Sequence, residues 1–225
     1  MVAKDRLHKN NQRRKISMSH TKPSIAILGA GRVGSSLARS AVAAGYEVKV
    51  AGSGAVDKIA LTAEILMPGA VPSTADQAVK DADIVFLAVP LHKFRSVDPA
   101  TLEGKIVIDT MNHWVPVNGE LEEIDQDPRS TSEIIAEFFA GSTMVKSFNH
   151  IGYHEIEQDA GTGRAIAYAT DDVDAGTQVA QLIESFGFVP LNIGALENSR
   201  ILEPGQEAFG AHLNKDSRLE LVNQR

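Results

Sequence analysis

The sequence predicts an α/β fold with a mostly parallel, doubly wound sheet. Short apolar runs alternate with helix-length amphipathic segments along the chain, as expected for strands joined by helical crossovers. The run at 83–89 is apolar enough to lie in the middle of such a sheet, buried on both faces. With 225 residues, 43% of them hydrophobic, the chain can bury the core of one such domain. Its C-terminal third is expected to form a small extension or lobe.

The elements follow in order from local signals. The expected strands are 25–28, 47–53, 83–89, 105–109, 144–148, 165–169 and 189–193. The expected helices are one ending near Gly45, then 55–66, 74–80, 130–139 and 173–186. Ser130 or Thr131 caps the helix at 130–139, with Glu133 in its first turn. The longest irregular stretch, 112–128, is the expected lid or ligand loop.

A glycine-rich corner follows the first strand. The strand at 25–28 runs into the loop of Gly29, Ala30, Gly31, Arg32, Val33 and Gly34, and a helix follows. Gly29 permits the tight turn, Gly31 lets the backbone approach a pyrophosphate, and Gly34 lets the helix lie close to the strand. The free N–H groups and the positive end of the helix dipole then face the phosphates. This predicts a dinucleotide site in a Rossmann-type domain, and the alternative is a Rossmann-like core that binds no nucleotide.

The end of the second strand indicates which dinucleotide binds. An NAD enzyme normally has Asp or Glu there, about 20 residues beyond the first glycine, to accept the ribose hydroxyls. This chain has Ser53 instead, and Lys58 follows at the start of the next helical stretch. A hydroxyl and a cation suit a 2′-phosphate, which favours NADP, and Arg32 is a second candidate phosphate partner. Alternatively, Ser53 caps the helix near Ala55, and Lys58 and Arg32 are simply solvated.

Ligands of open α/β sheets bind outside the carboxyl ends of the strands. Three strand ends join the glycine corner at one crevice, namely 88–92, 109–114 and 147–152. We expect the wall around the reacting rings to consist of Pro90, Met111, Asn112, Asn149 and His150, and we expect Ala88 and Val89 to bind the cofactor as well. The asparagine side chains would orient ring amide or carbonyl groups. Met111 and Phe148 are alternatively plain core residues.

Histidines near these strand ends are the candidate catalytic residues. His150 and His113 are the leading candidates, and His92 is a further possible proton donor or ring contact. His150 and His154 have the i, i+4 spacing of metal ligands on a helix, but Gly152 lies between them and weakens such a helix. We therefore expect no metal site and a solvated or ring-contacting role for His150.

Charge is distributed unevenly along the chain. Seven of the 22 basic residues and one of the 29 acidic residues lie in positions 1–22, so the remaining body is strongly acidic. We expect positions 1–22 to be a disordered tail, or to precede a start at Met18, and an anionic-surface anchor is the alternative. The body is acidic, and it has no apolar run of membrane-spanning length. We therefore expect no nucleic-acid partner and no membrane partner, and we expect a cytoplasmic location. The absence of cysteine excludes disulfides and thiolate chemistry.

At these residues the chain resembles the coenzyme F420-dependent NADP oxidoreductases, over roughly 25–211. The resemblance rests on the glycine corner, on Ser53 with Lys58, and on the segments 107–112, 132–137, 145–149 and 198–203. It implies a dinucleotide-binding domain at 23–211, whose C-terminal third forms the second-substrate side, followed by a polar tail at 212–225. It also implies a homodimer. One departure is Gly54, where the family commonly has Arg.

The resemblance implies hydride transfer between NADP(H) and coenzyme F420, a deazaflavin co-substrate. Such a transfer requires mainly that two rings be held at reacting distance and shielded from water. This agrees with the lack of a convincing acid–base pair or nucleophile arrangement in the sequence. Two alternatives stay open: an NAD(P)H-dependent reductase of a flavin, a ferric complex or a small carbonyl compound, and a noncatalytic dinucleotide-sensing module.

Overall fold

The computed structural model describes residues 22–214 together with 216, 217 and 221. Its strands are β1 (Ile25–Leu28), β2 (Val48–Ala51), β3 (Val71–Pro72), β4 (Ile84–Leu87), β5 (Ile106–Asp109), β6 (Thr143–Ser147), β7 (Ala165–Ala169) and β8 (Val189–Asn192). They form one sheet in the order β3-β2-β1-β4-β5-β6-β7-β8. This is the Rossmann strand order extended at one edge, so the predicted fold class is confirmed.

The helices cover both faces of the sheet. They are α1 (Arg32–Ala43), α2 (Asp57–Leu66), α3 (Ala75–Lys80), α4 (Val115–Asn118), α5 (Glu122–Asp125), α6 (Thr131–Phe138), α7 (Glu155–Gln158) and α8 (Val173–Ser185). Short 3₁₀ segments lie at Leu91–Ser96, Pro99–Leu102 and Leu196–Leu202. Within the described residues, no helix has the length and apolar character needed to cross a membrane.

Strand direction brings the functional loops together. The pairs β1–β2, β1–β4, β4–β5 and β5–β6 are all parallel, so the carboxyl ends of these strands lie at one edge of the sheet. The pair β6–β7 is antiparallel. The strand order reverses between β1 and β4, and ligands of such sheets bind in the crevice at this reversal. The predicted meeting of these strand ends is therefore confirmed.

The core has two layers, because successive strand residues point to opposite faces. Ile25 and Ile27 pack in the layer of α1 and α8, whereas Ala26 and Leu28 pack in the other layer with α3 and α6. Met111 and Phe148 are buried in these layers, as the core interpretation of both residues predicts. Ser130 caps α6 in a capping box with Glu133.

The two ends of the chain and the predicted loop need further comment. Strands β7 and β8 continue the same sheet, so the C-terminal third does not form a lobe of its own. Leu213 and Leu221, in the predicted polar tail, are buried with alanines of β7. The stretch 112–128, expected to be irregular, contains α4 and α5. The predicted basic tail lies outside the described residues, except for Lys22.

Candidate functional site

The glycine corner between β1 and α1 is held by close backbone contacts. Gly29 has φ +121°, and a Cβ there would lie 2.3 Å from the carbonyl oxygen of Ala88 at the end of β4. A Cβ on Gly34 would lie 1.8 Å from the carbonyl oxygen of Gly29. Both positions therefore require glycine, as the fingerprint predicts.

Gly31 differs from these two glycines because it faces open space. A Cβ on Gly31 would have no described atom within 4 Å, and the residue is exposed. Gly31 is the N-cap of the twelve-residue helix α1, and no side chain caps that end among the described residues. The first backbone N–H groups of α1 are therefore not covered by a side chain, and they can donate to a pyrophosphate placed beside Gly31.

The loop after β2 fits the predicted ribose end of the dinucleotide. The N-cap of α2 is Val56, and it makes no side-chain capping bond. The alternative in which Ser53 caps this helix is therefore wrong. The Lys58 ammonium lies over the loop, since its Nζ would be 3.3 Å from a Cβ placed on Gly54. Gly54 has φ +96°, a backbone conformation that disfavours the arginine common in the resembled family.

An aromatic residue that sequence reasoning missed lies beside the corner. The guanidinium of Arg32, at the first position of α1, lies 5.5 Å from the ring centre of Tyr153, in the segment after β6. Both side chains are exposed. The stacked pair brings the β6 end beside the N-terminus of the phosphate-facing helix. The only signal in the sequence is that Tyr153 follows shortly after a predicted strand, 144–148.

A buried ion pair fixes the end of β5. Lys146 Nζ lies 3.1 Å from Asp109 Oδ2, and both side chains are fully buried. Ser132 Oγ donates to the same carboxylate at 2.6 Å. The Met111 N–H donates to Asp109 Oδ1 at 2.8 Å, and Lys146 Nζ donates to the Met111 carbonyl at 2.7 Å. The pair therefore holds both backbone polar groups of Met111, a predicted wall residue.

The two predicted asparagines meet at the crevice, but they bond to each other. Asn112 Nδ2 donates to the Asn149 carbonyl at 2.7 Å, and Asn149 Nδ2 donates to Asn112 Oδ1 at 3.0 Å. Asn149 Nδ2 also donates to the Leu202 carbonyl at 2.7 Å. Phe148, just before Asn149, has φ +59°, which is uncommon for an aromatic residue. The amides thus tie the β5 and β6 loops together, and both side-chain N–H groups of Asn149 are used in doing so.

His150 is buried, so the predicted solvated role is wrong. Its Nε2 accepts the Ala167 N–H at 3.2 Å, and its Nδ1 lies 3.3 Å from Asn149 Oδ1. Burial, reinforced by the positive charges of Arg164 and Lys146, lowers the pKa of His150 to about 3. The ring is neutral at physiological pH and holds the β6 loop against β7. It therefore suits neither a general acid nor an accessible metal ligand.

The other two candidate proton donors, His113 and His92, lie in the segment after β5 and in the loop after β4. His113 Nε2 lies 2.7 Å from Asp125 Oδ1. The Leu121 N–H and this histidine lower the pKa of the Asp125 carboxyl. His92 is exposed, with its Nδ1 3.1 Å from Asn118 Nδ2. Pro90 is exposed, and Ala88 and Val89 are half-buried, along the same crevice. No group of His, Asp and Glu among the described residues could hold a metal ion.

These features define a Rossmann-type α/β fold with a candidate dinucleotide site at its glycine corner. Residues 24–113 match the family model described as "NADP oxidoreductase coenzyme F420-dependent". The predicted resemblance is thereby confirmed over these residues, which are similar to that family of NADP oxidoreductases.

The chain is also similar to longer proteins. It is 31% identical over 189 residues to metalloreductase STEAP3 of Rattus norvegicus, covering 80% of this chain and 36% of that protein. It is 28% identical over 188 residues to metalloreductase STEAP2 of Homo sapiens, covering 81% of this chain and 35% of that protein. The chain thus spans about a third of the length of these relatives.

One solved structure matches nearly end to end. The crystal structure of protein SMa0349 from Sinorhizobium meliloti superposes with a TM-score of 0.77 at 28% identity. The match covers 88% of this chain and 98% of that chain.

Proposed function

We propose that the chain binds NADP(H) in the β1–β4 crevice and transfers hydride between it and coenzyme F420. The observation that carries the nucleotide part is the contrast among the corner glycines. At Gly29 and Gly34, neighbouring backbone atoms occupy the space where a side chain would begin. At Gly31, the N-cap of α1, the same space is open. This is the space that a pyrophosphate needs.

The residues present fit the whole dinucleotide. The N–H groups of α1 would hold the pyrophosphate, and Arg32 is a further cation beside it. Ser53 and Lys58 would hold the 2′-phosphate, and no acidic residue between 51 and 56 would repel it. At the nicotinamide end, the buried Asp109–Lys146 pair keeps the backbone of Met111 in place. When bound, NADPH supplies a hydride, and the acceptor takes the accompanying proton from water.

The choice of acceptor rests on the family match and on the titratable groups. His150 is neutral and buried, so it is not a free proton donor facing the crevice, and the Nε2 of His113 is occupied by Asp125 at 2.7 Å. A carbonyl or imine substrate needs such a donor near neutral pH, whereas a deazaflavin does not. Proton relay by a single residue is therefore not required for the proposed reaction.

A second candidate is reduction of a flavin or a ferric complex. It is favoured by the 31% identity to a protein named as a metalloreductase. In that case the nucleotide site is unchanged, and the acceptor, or a further domain, determines the activity.

The deciding experiment offers NADPH with oxidised F420, FMN and a ferric chelate in parallel, and follows acceptor reduction by absorbance. The proposal expects reduction of F420 with the highest kcat/KM of the three. Preference for FMN or the ferric chelate would replace it with the second candidate. Binding of NADPH without turnover of any acceptor would favour a nucleotide-sensing module.

A further inference from the structure

Trp114 is a large aromatic residue left exposed at the crevice. It lies five residues beyond Asp109, the last residue of β5, and directly before α4. The residue is 53% exposed, although tryptophan is usually well buried. The neighbouring Val115 and Val117 are exposed as well. This apolar surface adjoins the two residues, Met111 and Asn112, that the site places at the nicotinamide end.

The indole is held in a fixed orientation. The ring of Phe209 meets it edge to face, with ring centres 6.3 Å apart and an interplanar angle of 84°. The backbone N–H of Trp114 donates to Asn118 Oδ1 at 2.9 Å, which fixes the start of α4 and the position of the Trp114 backbone. In an edge-to-face pair Phe209 covers at most one face of the indole, so at least one face is left for a planar ligand.

The Trp114–Phe209 pair is also hydrogen-bonded to the segment that follows β6. The Gly210 N–H, next to Phe209, donates to the His150 carbonyl at 3.0 Å. Through Asn112 and Asn149, the same two strand-end segments are hydrogen-bonded to each other. The Trp114–Phe209 pair therefore spans the β5 and β6 ends. An exposed tryptophan fixed in this way beside the nicotinamide end is placed to contact a second substrate.

We propose that the indole of Trp114 is the stacking surface for the planar fused ring of the hydride acceptor. The occupant is a deazaflavin or flavin ring, since only a flat aromatic acceptor gains from an indole face. A ferric chelate or a small carbonyl compound has no such ring. This inference rests on the proposed function and specifies its substrate class.

The chain offers a direct readout because Trp114 is its single tryptophan. The probe is oxidised F420, with FMN in parallel, titrated into the NADP⁺-loaded protein so that no turnover occurs. Stacking on the indole should quench tryptophan emission statically, so the emission intensity should fall to a plateau while the fluorescence lifetime of the remaining emission stays the same. An acceptor bound at a distance from the indole would instead shorten the fluorescence lifetime.

Two substitutions separate stacking from bulk. Trp114→Phe keeps an aromatic face and should bind the acceptor within a few-fold of wild type. Trp114→Leu keeps an apolar side chain without a ring, and should weaken acceptor binding and raise its KM roughly 10- to 100-fold, as for lost aromatic stacking. The NADPH KM should not change in either. Ile65→Ala, another exposed apolar residue in the last turn of α2, is the matched control and should leave both constants unchanged.

The outcomes are distinguishable from failure of the proposed function. Unquenched emission at saturating acceptor, or a Trp114→Leu protein with unchanged acceptor affinity, would overturn the stacking role even if hydride transfer continues. Self-association that is lost in Trp114→Leu, without an acceptor effect, would overturn it in favour of a contact between two copies of this chain. If no acceptor is reduced by wild type but F420 or FMN is bound with quenching, the hydride-transfer proposal fails and the aromatic site stands.

Discussion

The two ends of the proposed crevice are built in different ways. At the glycine corner, shape comes from missing side chains, since Gly29 and Gly34 let backbone segments touch. At the β5–β6 end, shape comes from buried side chains, since Asp109 and Lys146 bond to each other and to the Met111 backbone. The first end depends on close backbone packing that a side chain would prevent, and the second depends on two buried charges that neutralise each other. Substitutions should therefore damage them through different physics.

The largest expected effect is at the charged end. Replacing Lys146 with Met leaves the Asp109 carboxylate buried without its cation, which should cost about 3–5 kcal/mol of unfolding free energy. Chemical denaturation at pH 7 measures it. The double variant Lys146→Met with Asp109→Asn removes both charges and should be more stable than Lys146→Met alone. A single variant as stable as wild type would mean that the pair does not support the fold.

The glycine end should separate fold from binding. Gly34→Ala drives a Cβ into the Gly29 carbonyl and should destabilise the protein by about 3 kcal/mol. Gly31→Ala meets no described atom within 4 Å, so its melting temperature should stay near wild type while NADPH affinity falls steeply. Thermal unfolding and calorimetric NADPH titration measure the two effects. Unchanged NADPH affinity in folded Gly31→Ala would remove the basis of the dinucleotide assignment.

This difference also explains how much could be predicted from sequence. The corner is local, because its strand, glycines and helix are consecutive, and β1 was predicted with its observed bounds, Ile25–Leu28. The charged end joins β5 and β6, whose pairing places Asp109 opposite Lys146. No pattern within either strand specifies that register. The strand-end rule brought Asn112 and Asn149 to one place, but it does not say that they bond to each other.

The segment at 112–128 shows a signal that was present but unused. Helix α4 has Pro116 in its first turn and ends at Asn118, just before Gly119, which has φ +72°. Proline near the start and glycine just past the end is the usual punctuation of a short helix. The length of the segment indicates an irregular loop, but these two residues indicate a short helix within it. The burial of His150 is different, because it depends on packing against β7 and has no local signal.

A smaller effect is expected at the ribose end of the corner. Lys58→Ala should weaken NADPH by about 1–3 kcal/mol, the contribution of a charge-assisted phosphate contact, and leave NADH almost unchanged. Paired titrations with the two cofactors measure this. The matched control is Lys93→Ala, an exposed lysine in the loop after β4. Equal weakening of both cofactors would assign Lys58 to the general electrostatic field instead of the 2′-phosphate.

The last expected effect is a pH dependence of the unfolding free energy, which arises from His150 in the β6 loop. The pKa of His150 is about 3 in the folded protein because the ring is buried beside Arg164 and Lys146, whereas an unfolded histidine has a pKa near ~6.5. Between these values the unfolded chain binds the extra proton. The unfolding free energy should therefore fall as the pH drops below ~6.5, by about 1.4 kcal/mol per pH unit, and level off above it.

His150→Gln cannot take up that proton, and its amide oxygen can still accept the Ala167 N–H. Denaturation curves at pH 7 and pH 5 should show wild type losing about 2 kcal/mol more than His150→Gln, since the carboxylates titrate alike in both proteins. Equal losses would mean that His150 takes up its proton in the folded state, which would restore it as a candidate proton donor for the crevice.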